Sequence, residues 1–269
     1  MSVTTNRRHF VLESHFYDQQ SFAMSVLFIS GIDTDIGKTY ATGMMAKALI
    51  QQGINVITQK LVQTGVSVNS ASGEMNIADD IVTHRQLMGI ALQPCDFDFT
   101  TCPYRYEKPA SPHLAVKLAK SVLDPDVITK STQQLQQNYD VVLLEGAGGL
   151  LVPITEQLLT LDYIATQGYP VILVTSGRLG SINHTLLSLE AMKARGLMVH
   201  SVIYNHIHDS AAQTDKQIAN STIDYLKNYL AQNYPNAHWL QLSRQDKNKF
   251  EEEINGDLIL PQHFIEAII

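Results

Sequence analysis

Cysteine is nearly absent from this chain of 269 residues: Cys95 and Cys102 are the whole supply. Two cannot build a disulfide framework, and their spacing matches no zinc pattern, so free thiols in a reducing, cytoplasmic compartment are expected. Long apolar runs are missing too. No segment reaches about 18 uninterrupted apolar residues, so no membrane-spanning helix is expected. Basic charge is in deficit. Lys and Arg number 19 against 26 Asp and Glu, giving a net charge of −7 with ten neutral histidines. General nucleic-acid binding needs a basic face and is not expected. An anionic ligand must then be held locally, by individual lysines and backbone amides. Internal repeats, low-complexity tracts and linkers are also lacking, so residues 24–269 read as one domain. Residues 1–23 hold Arg7, Arg8 and His9 but no continuous apolar stretch of the secretory kind. They read as a poorly ordered extension, or as an upstream start ahead of Met24.

What the chain does have begins with Gly31-Ile32-Asp33-Thr34-Asp35-Ile36-Gly37-Lys38-Thr39. The apolar run Val26 to Ile29 precedes it, and Ala41, Met44, Met45, Ala48 and Leu49 follow at helical spacing. Strand, glycine turn and helix form a phosphate cradle, because the turn's N–H groups and the helix N-terminus face an anion. Lys38 is placed to reach β- and γ-phosphates and Thr39 to ligate Mg²⁺. Five residues separate Gly31 from Gly37, where the usual loop has four.

Further along, Val56-Ile57-Thr58 reads as a second strand that delivers Lys60 at its carboxyl end, with Thr64 close behind. Ligands of open parallel sheets bind beyond that end; alone, however, such a lysine is more often a solvated surface residue. Asp79 and Asp80 open a helix, as dipole partners or with one of them as a metal carboxylate. His113, after Ser111-Pro112, is a packing or capping residue or a site residue. Asp140 to Leu144 reads as a buried strand ending in Glu145 and a glycine-rich turn, Gly146-Ala147-Gly148-Gly149. An acid there is a turn residue or, paired with Lys38-Thr39, a Mg²⁺ carboxylate. Val171 to Thr175 and Val199 to Tyr204 are further strands. Between them, Gly177 to His184 opens a helix, with Ser181 and Asn183 as N-caps or as carboxylate-binding positions. Helices are expected from Thr214 to Leu230 and in the acidic 250s. Alternating strands and helices predict an α/β fold of the P-loop NTPase kind, a mainly parallel sheet covered on both faces.

Together these segments resemble the dethiobiotin synthetase family, over roughly Met24 to Asn205. The family's phosphate loop, Gly-Thr-Asp-Thr-x-x-Gly-Lys-Thr, has the same five-residue spacer, and only Ile32 departs. Lys60 with Thr64, Ser111-Pro112-His113, Glu145 to Gly149, Leu179 to His184, and Asn205 also match. Leu61 stands where proline is usual, Leu150 and Leu151 where aromatics are frequent, and no adenine loop is recognisable after Asn205. The resemblance implies ATP-dependent closure of 7,8-diaminononanoate and CO₂ to dethiobiotin, through a carbamate and its phosphoric anhydride. It implies nucleotide contacts from Asp35, Ile36, Gly37, Lys38, Thr39, Tyr40, Glu145, Gly146, Ala147, Gly148 and Asn205. Mg²⁺ would sit on Thr39, Glu145 and Asp80, with Asp79 the alternative. Lys38 and Lys60 are the implied catalytic residues. Thr34, Lys60 and Thr64 would hold the diamine together with Gly180, Ser181, Ile182 and Asn183, that last turn reaching in from the partner of a homodimer. A partitioning or septum-type switch ATPase is the rival; Asp33 stands where that group carries its signature lysine. Amidation of a cobalt-ring precursor would need a glutaminase cysteine that this chain lacks, and a dead binding module would not keep every phosphate position filled.

Overall fold

The computed structural model describes residues 26–69, 73–208, 215–244 and 256–268. Seven strands make one sheet in the order β2 (Val56–Lys60), β5 (Val141–Gly149), β1 (Val26–Gly31), β6 (Val171–Ser176), β7 (Val199–Asn205), β8 (His238–Arg244) and β9 (Gly256–Leu258). All neighbours are parallel except β9, which runs antiparallel along β8. A separate parallel pair joins β3 (Gln63–Thr64) to β4 (Arg105–Tyr106).

Alternation along the strands sorts the core into two layers. Phe28, Ile57, Val142, Leu144, Val171, Leu173 and Val202 point to one face. There they meet α5 (Pro125–Gln136), α6 (Thr160–Gln167), α7 (Ser181–Lys193) and α8 (Lys216–Asn233), through Ile128, Leu161, Leu189 and Leu230. Leu27, Ile29, Val56, Val141, Leu143, Ile172, Val174 and Ile203 point to the other face. It is covered by α1 (Lys38–Gln51), α2 (Asp79–Met88) and α9 (Gln262–Glu266), through Met45, Leu49, Met88 and Phe264. Two short helices, α3 (Pro94–Phe97) and α4 (Pro112–Leu118), and a 3-10 turn at His206–His208 complete the elements among the described residues. The expected parallel sheet with helices on both faces is thus present. Among the described residues no helix is long and apolar enough to cross a membrane.

Several local expectations are corrected. The glycine-rich segment after Glu145 is not a turn: β5 continues to Gly149, which pairs with Gly31 across a register shift. Neither Ser181 nor Asn183 caps α7; Gly180 takes that position at φ 91°, and no side chain caps the helix. The helix expected from Thr214 begins at Lys216 and runs on to Asn233. β8 was not foreseen, although Trp239-Leu240-Gln241-Leu242 alternates at strand period. Residues 1–23, Thr214 and the acidic residues before Gly256 lie outside the described residues.

At the β7–β8 edge, His200 is buried between His238 and Phe264, with ring centroids 5.3 and 5.0 Å away. Its Nε2 has no partner. Burial, then the neighbouring His238, pushes its pKa down to about 4. The unfolded chain therefore takes up this proton first, and stability held near neutrality drains as pH falls from 6.5 toward 4. Between about pH 7 and about pH 5 this site should cost about 2 kcal/mol. Urea midpoints across that range should show the drop, and His200→Phe should flatten it; an equally steep profile in the variant would refute the assignment.

Candidate active site

The phosphate loop folds back over its own first glycine. A Cβ on Gly31 would lie 2.6 Å from Ile36 Cγ2 and 3.0 Å from Lys38 Cγ, so no side chain fits. Asp35 and Gly37 both take left-handed φ, 54° and 85°, and so aim successive amides inward. Lys38 crosses the loop, its Nζ donating to the Asp33 carbonyl at 3.3 Å. At the loop's outer edge, Arg178 Nη2 donates to Asp33 Oδ2 at 3.1 Å, tying the loop to the segment before α7.

Beyond the carboxyl ends of β1, β2 and β5 opens a cavity of about 1040 Å³. Of the candidate site residues, Thr34, Asp35, Gly37, Lys38, Thr39, Tyr40, Lys60, Thr64, Asp80, Glu145, Ala147 and Gly148 all line it. Ile36 and Gly146 back it instead. Ile36 is fully buried, and the face of Gly146 lies against the Phe28 ring, 3.0 Å from where a Cβ would be. Asn205 is buried with its amide committed to the backbone: Nδ2 donates to the Ile36 carbonyl and Oδ1 accepts from Ile207 N–H, both at 3.0 Å. Gly180 to Asn183 do not line this cavity in the single chain. Gln63, Thr83, Val152 and Pro109 to Pro112 also line it and were not singled out as site residues. His113 borders a separate groove of about 420 Å³ beside Val116 and Glu156, its Nδ1 without a partner.

Lys60 is the centre of charge. Its Nζ lies 2.5 Å from Asp80 Oδ2 and 2.8 Å from Glu145 Oε1, and it donates to the Gly146 carbonyl at 3.1 Å. Burial alone would lower its pKa, but Glu145 and Asp80 outweigh burial and hold it above the ordinary lysine value. Lys60 is therefore a fixed positive charge rather than a base. Glu145 is fully buried; burial opposes its ionisation, and Lys60 with His84 overcomes that and holds its pKa well below the usual carboxylate range. Lys38 has its pKa lowered, by burial first and by the nearby Lys60 second. Of the two acids opening α2, Asp80 faces the cavity and Asp79 is exposed at the first helical turn.

Thr39 Oγ1 donates to Glu145 Oε1 at 3.1 Å, so a hydroxyl and two carboxylates gather around one ammonium. The three oxygens are donors of the kind a hard divalent ion takes. Among the described residues no cluster of three or more His, Cys, Asp or Glu is arranged to hold a metal.

Behind Glu145 lies a buried polar chain that the sequence did not disclose. His84 Nε2 meets Glu145 Oε2 at 2.8 Å, and His84 Nδ1 lies 3.0 Å from Thr58 Oγ1. Arg85 Nη1 donates to that Thr58 oxygen at 2.7 Å, while Nε and Nη2 clasp Asp96 at 2.9 and 2.8 Å. The available signal was spacing: His84 follows Asp80 by one helical turn and shares its face.

Comparison with known proteins agrees with this architecture. Residues 25–230 match a family described as an AAA domain. A protein of Haemophilus influenzae named ATP-dependent dethiobiotin synthetase is 57% identical over 180 residues, covering 67% of this chain and 90% of its own. A Haemophilus ducreyi protein of that name is 49% identical, covering 82% and 99%. One from Chlorobaculum tepidum is 48% identical, covering 77% and 82%. With identities and coverage of this order, and a phosphate loop set beside a carboxylate-clasped lysine, the chain belongs to the dethiobiotin synthetase family.

Proposed function

We propose that the protein closes the ureido ring of dethiobiotin from 7,8-diaminononanoate, CO₂ and ATP. The observation carrying this reading is the cavity itself, which sets a phosphate loop with Lys38 against a second fixed cation, Lys60, held by Asp80 and Glu145. One amine takes up CO₂ as a carbamate with loss of a proton. A carbamate oxygen then attacks the γ-phosphorus, releasing ADP, and the second amine attacks the carbonyl and expels phosphate. Carbamate and triphosphate are both anions. Lys38 and Lys60 between them offset that repulsion, and the loop amides hold the phosphates in line. No covalent nucleophile is required. Thr39, Asp80 and Glu145 would hold Mg²⁺, which would supply positive charge to neutralise the charge developing on the phosphates. The free thiols of Cys95 and Cys102 support a cytoplasmic setting.

The test is direct: incubation with diaminononanoate, bicarbonate and MgATP should yield dethiobiotin by mass, together with ADP. Phosphate release that ignores the diamine, with no dethiobiotin formed, would favour the switch-ATPase reading.

The proposal includes a twofold dimer in which the Gly180–Asn183 turn reaches the partner's cavity. Two features support it: that turn lies outside its own cavity, and Leu179 and Leu187 beside it are exposed. Lys60→Ala should weaken diamine binding while sparing nucleotide affinity, and Asn183→Ala should also weaken turnover. Mixing the two weak homodimers under subunit exchange leaves mixed dimers with one intact site. Activity should then recover to about a quarter of native, since about half of the dimers are mixed. Exchange verified by mass without recovery would sink the shared-site arrangement.

A further inference from the structure

Glu145 offers its two oxygens to two different surroundings. Oε1 faces the cavity, meeting Lys60 and Thr39. Oε2 faces the interior, where His84 Nε2 holds it at 2.8 Å; neither side chain has any solvent exposure. The direction of that bond follows from the groups behind the ring. Thr58 Oγ1 already receives a hydrogen from Arg85, so its own hydroxyl hydrogen is free to go to His84 Nδ1, 3.0 Å away. Nδ1 then accepts, leaving the ring hydrogen on Nε2 to donate to Glu145. Arg85 in turn cannot swing away, because Asp96 grips it at two atoms and itself accepts from Gln93 N–H and Thr101 Oγ1 at 2.7 and 2.8 Å.

We propose that His84 is a positioning residue: it pins Oε2 of Glu145 so that only Oε1 is presented to Lys60 and to the cation of the bound nucleotide. This rests on the reading of the cavity as a metal–nucleotide site. Without the pin, the carboxylate turns about its last bond. Lys60 then engages both oxygens, and the oxygen set loses its fixed donor. A histidine that merely filled space would do none of this, and an apolar side chain of similar size would replace it without effect on ligand binding. Outer partners that orient a ligating group typically contribute about tenfold or more to metal affinity.

The experiment compares the affinity of a non-hydrolysable ATP analogue with and without Mg²⁺, by calorimetry, in the full-length protein and in variants. His84→Leu should lower the Mg²⁺-dependent gain in affinity by roughly tenfold and leave the metal-free affinity unchanged. His84→Gln, whose amide N–H reaches the same oxygen, should restore most of the gain. His84→Asn, which reaches Thr58 but not Glu145, should not. If His84→Leu fails to fold, the Gln and Asn variants still decide the matter. Equal Mg²⁺-dependent gains in those two variants, or a folded His84→Leu protein with the native gain, would overturn the proposal. A native protein that shows no Mg²⁺-dependent gain would instead remove the cavity reading, and the role of His84 with it.

Discussion

Lys38→Ala should lower ATP turnover by about 10²–10³-fold, the usual cost of losing one preorganised donor to developing charge. The fold should survive, because Lys38 contributes little that holds the chain together. Its Nζ makes one long contact, 3.3 Å to the Asp33 carbonyl, and its charge is held against burial and against Lys60. Removing it relieves both penalties. The expected signature is therefore an inactive protein whose melting temperature is unchanged or raised, as when a site is built at some expense to stability. Phosphate release and thermal unfolding, measured on one preparation, check this; near-native turnover in a folded variant would take the loop out of the mechanism.

The second large effect is on stability. Asp96→Ala should destabilise the protein by about 3–5 kcal/mol, the range for stripping one partner from a buried ion pair. Arg85 is 1% exposed, the bulkiest of the fully buried side chains, and Asp96 satisfies two of its nitrogens. Most of the loss comes from the guanidinium left unpaired, so Arg85→Met combined with Asp96→Ala should recover part of it. By contrast, Arg195 with Asp162 is a half-exposed pair, and its removal should cost at most about 1 kcal/mol. Denaturant titrations of the variants separate the two cases. A loss under about 1 kcal/mol for Asp96→Ala would show that water or a neighbour replaces the carboxylate.

What could be read from sequence was whatever is written contiguously. Gly31 to Thr39 is a local device, complete in nine residues, and Val141 to Glu145 announces a buried strand by its own composition. Lys60 was placed correctly because strand ends in a parallel sheet share one edge. The polar chain behind Glu145 was not legible, because its members come from β2, α2 and α3, and only the tertiary fold brings Thr58, Arg85 and Asp96 together. Read alone, Asp96 is one acid in a loop rich in cysteine and proline. The same limit hid the β3–β4 pair, two residues on each strand held by pairing across some forty positions. Gly180 as the cap of α7 was missed for a different reason: the hydroxyl and amide that follow it have the better capping chemistry, but the backbone turn needs a left-handed residue one position earlier.

The clasp on Arg85 also bears on how the molecule behaves in a crowd. β2 is the outermost strand on its side of the sheet, and the backbone groups of Thr58 and Lys60 point away from β5. Left bare, such a strand is a template on which a second chain can add itself. Here Arg85 Nη2 donates to the Thr58 carbonyl at 3.3 Å, and the Lys60 N–H donates to the Thr101 carbonyl at 2.8 Å. Two outward hydrogen-bonding positions of this edge are thus taken by an arginine and a loop, neither of which can propagate a sheet. Arg85, which holds Thr58 behind His84, therefore also helps to keep this edge from seeding aggregation, and a variant that loosens it would expose the chain to self-association as well as to unfolding.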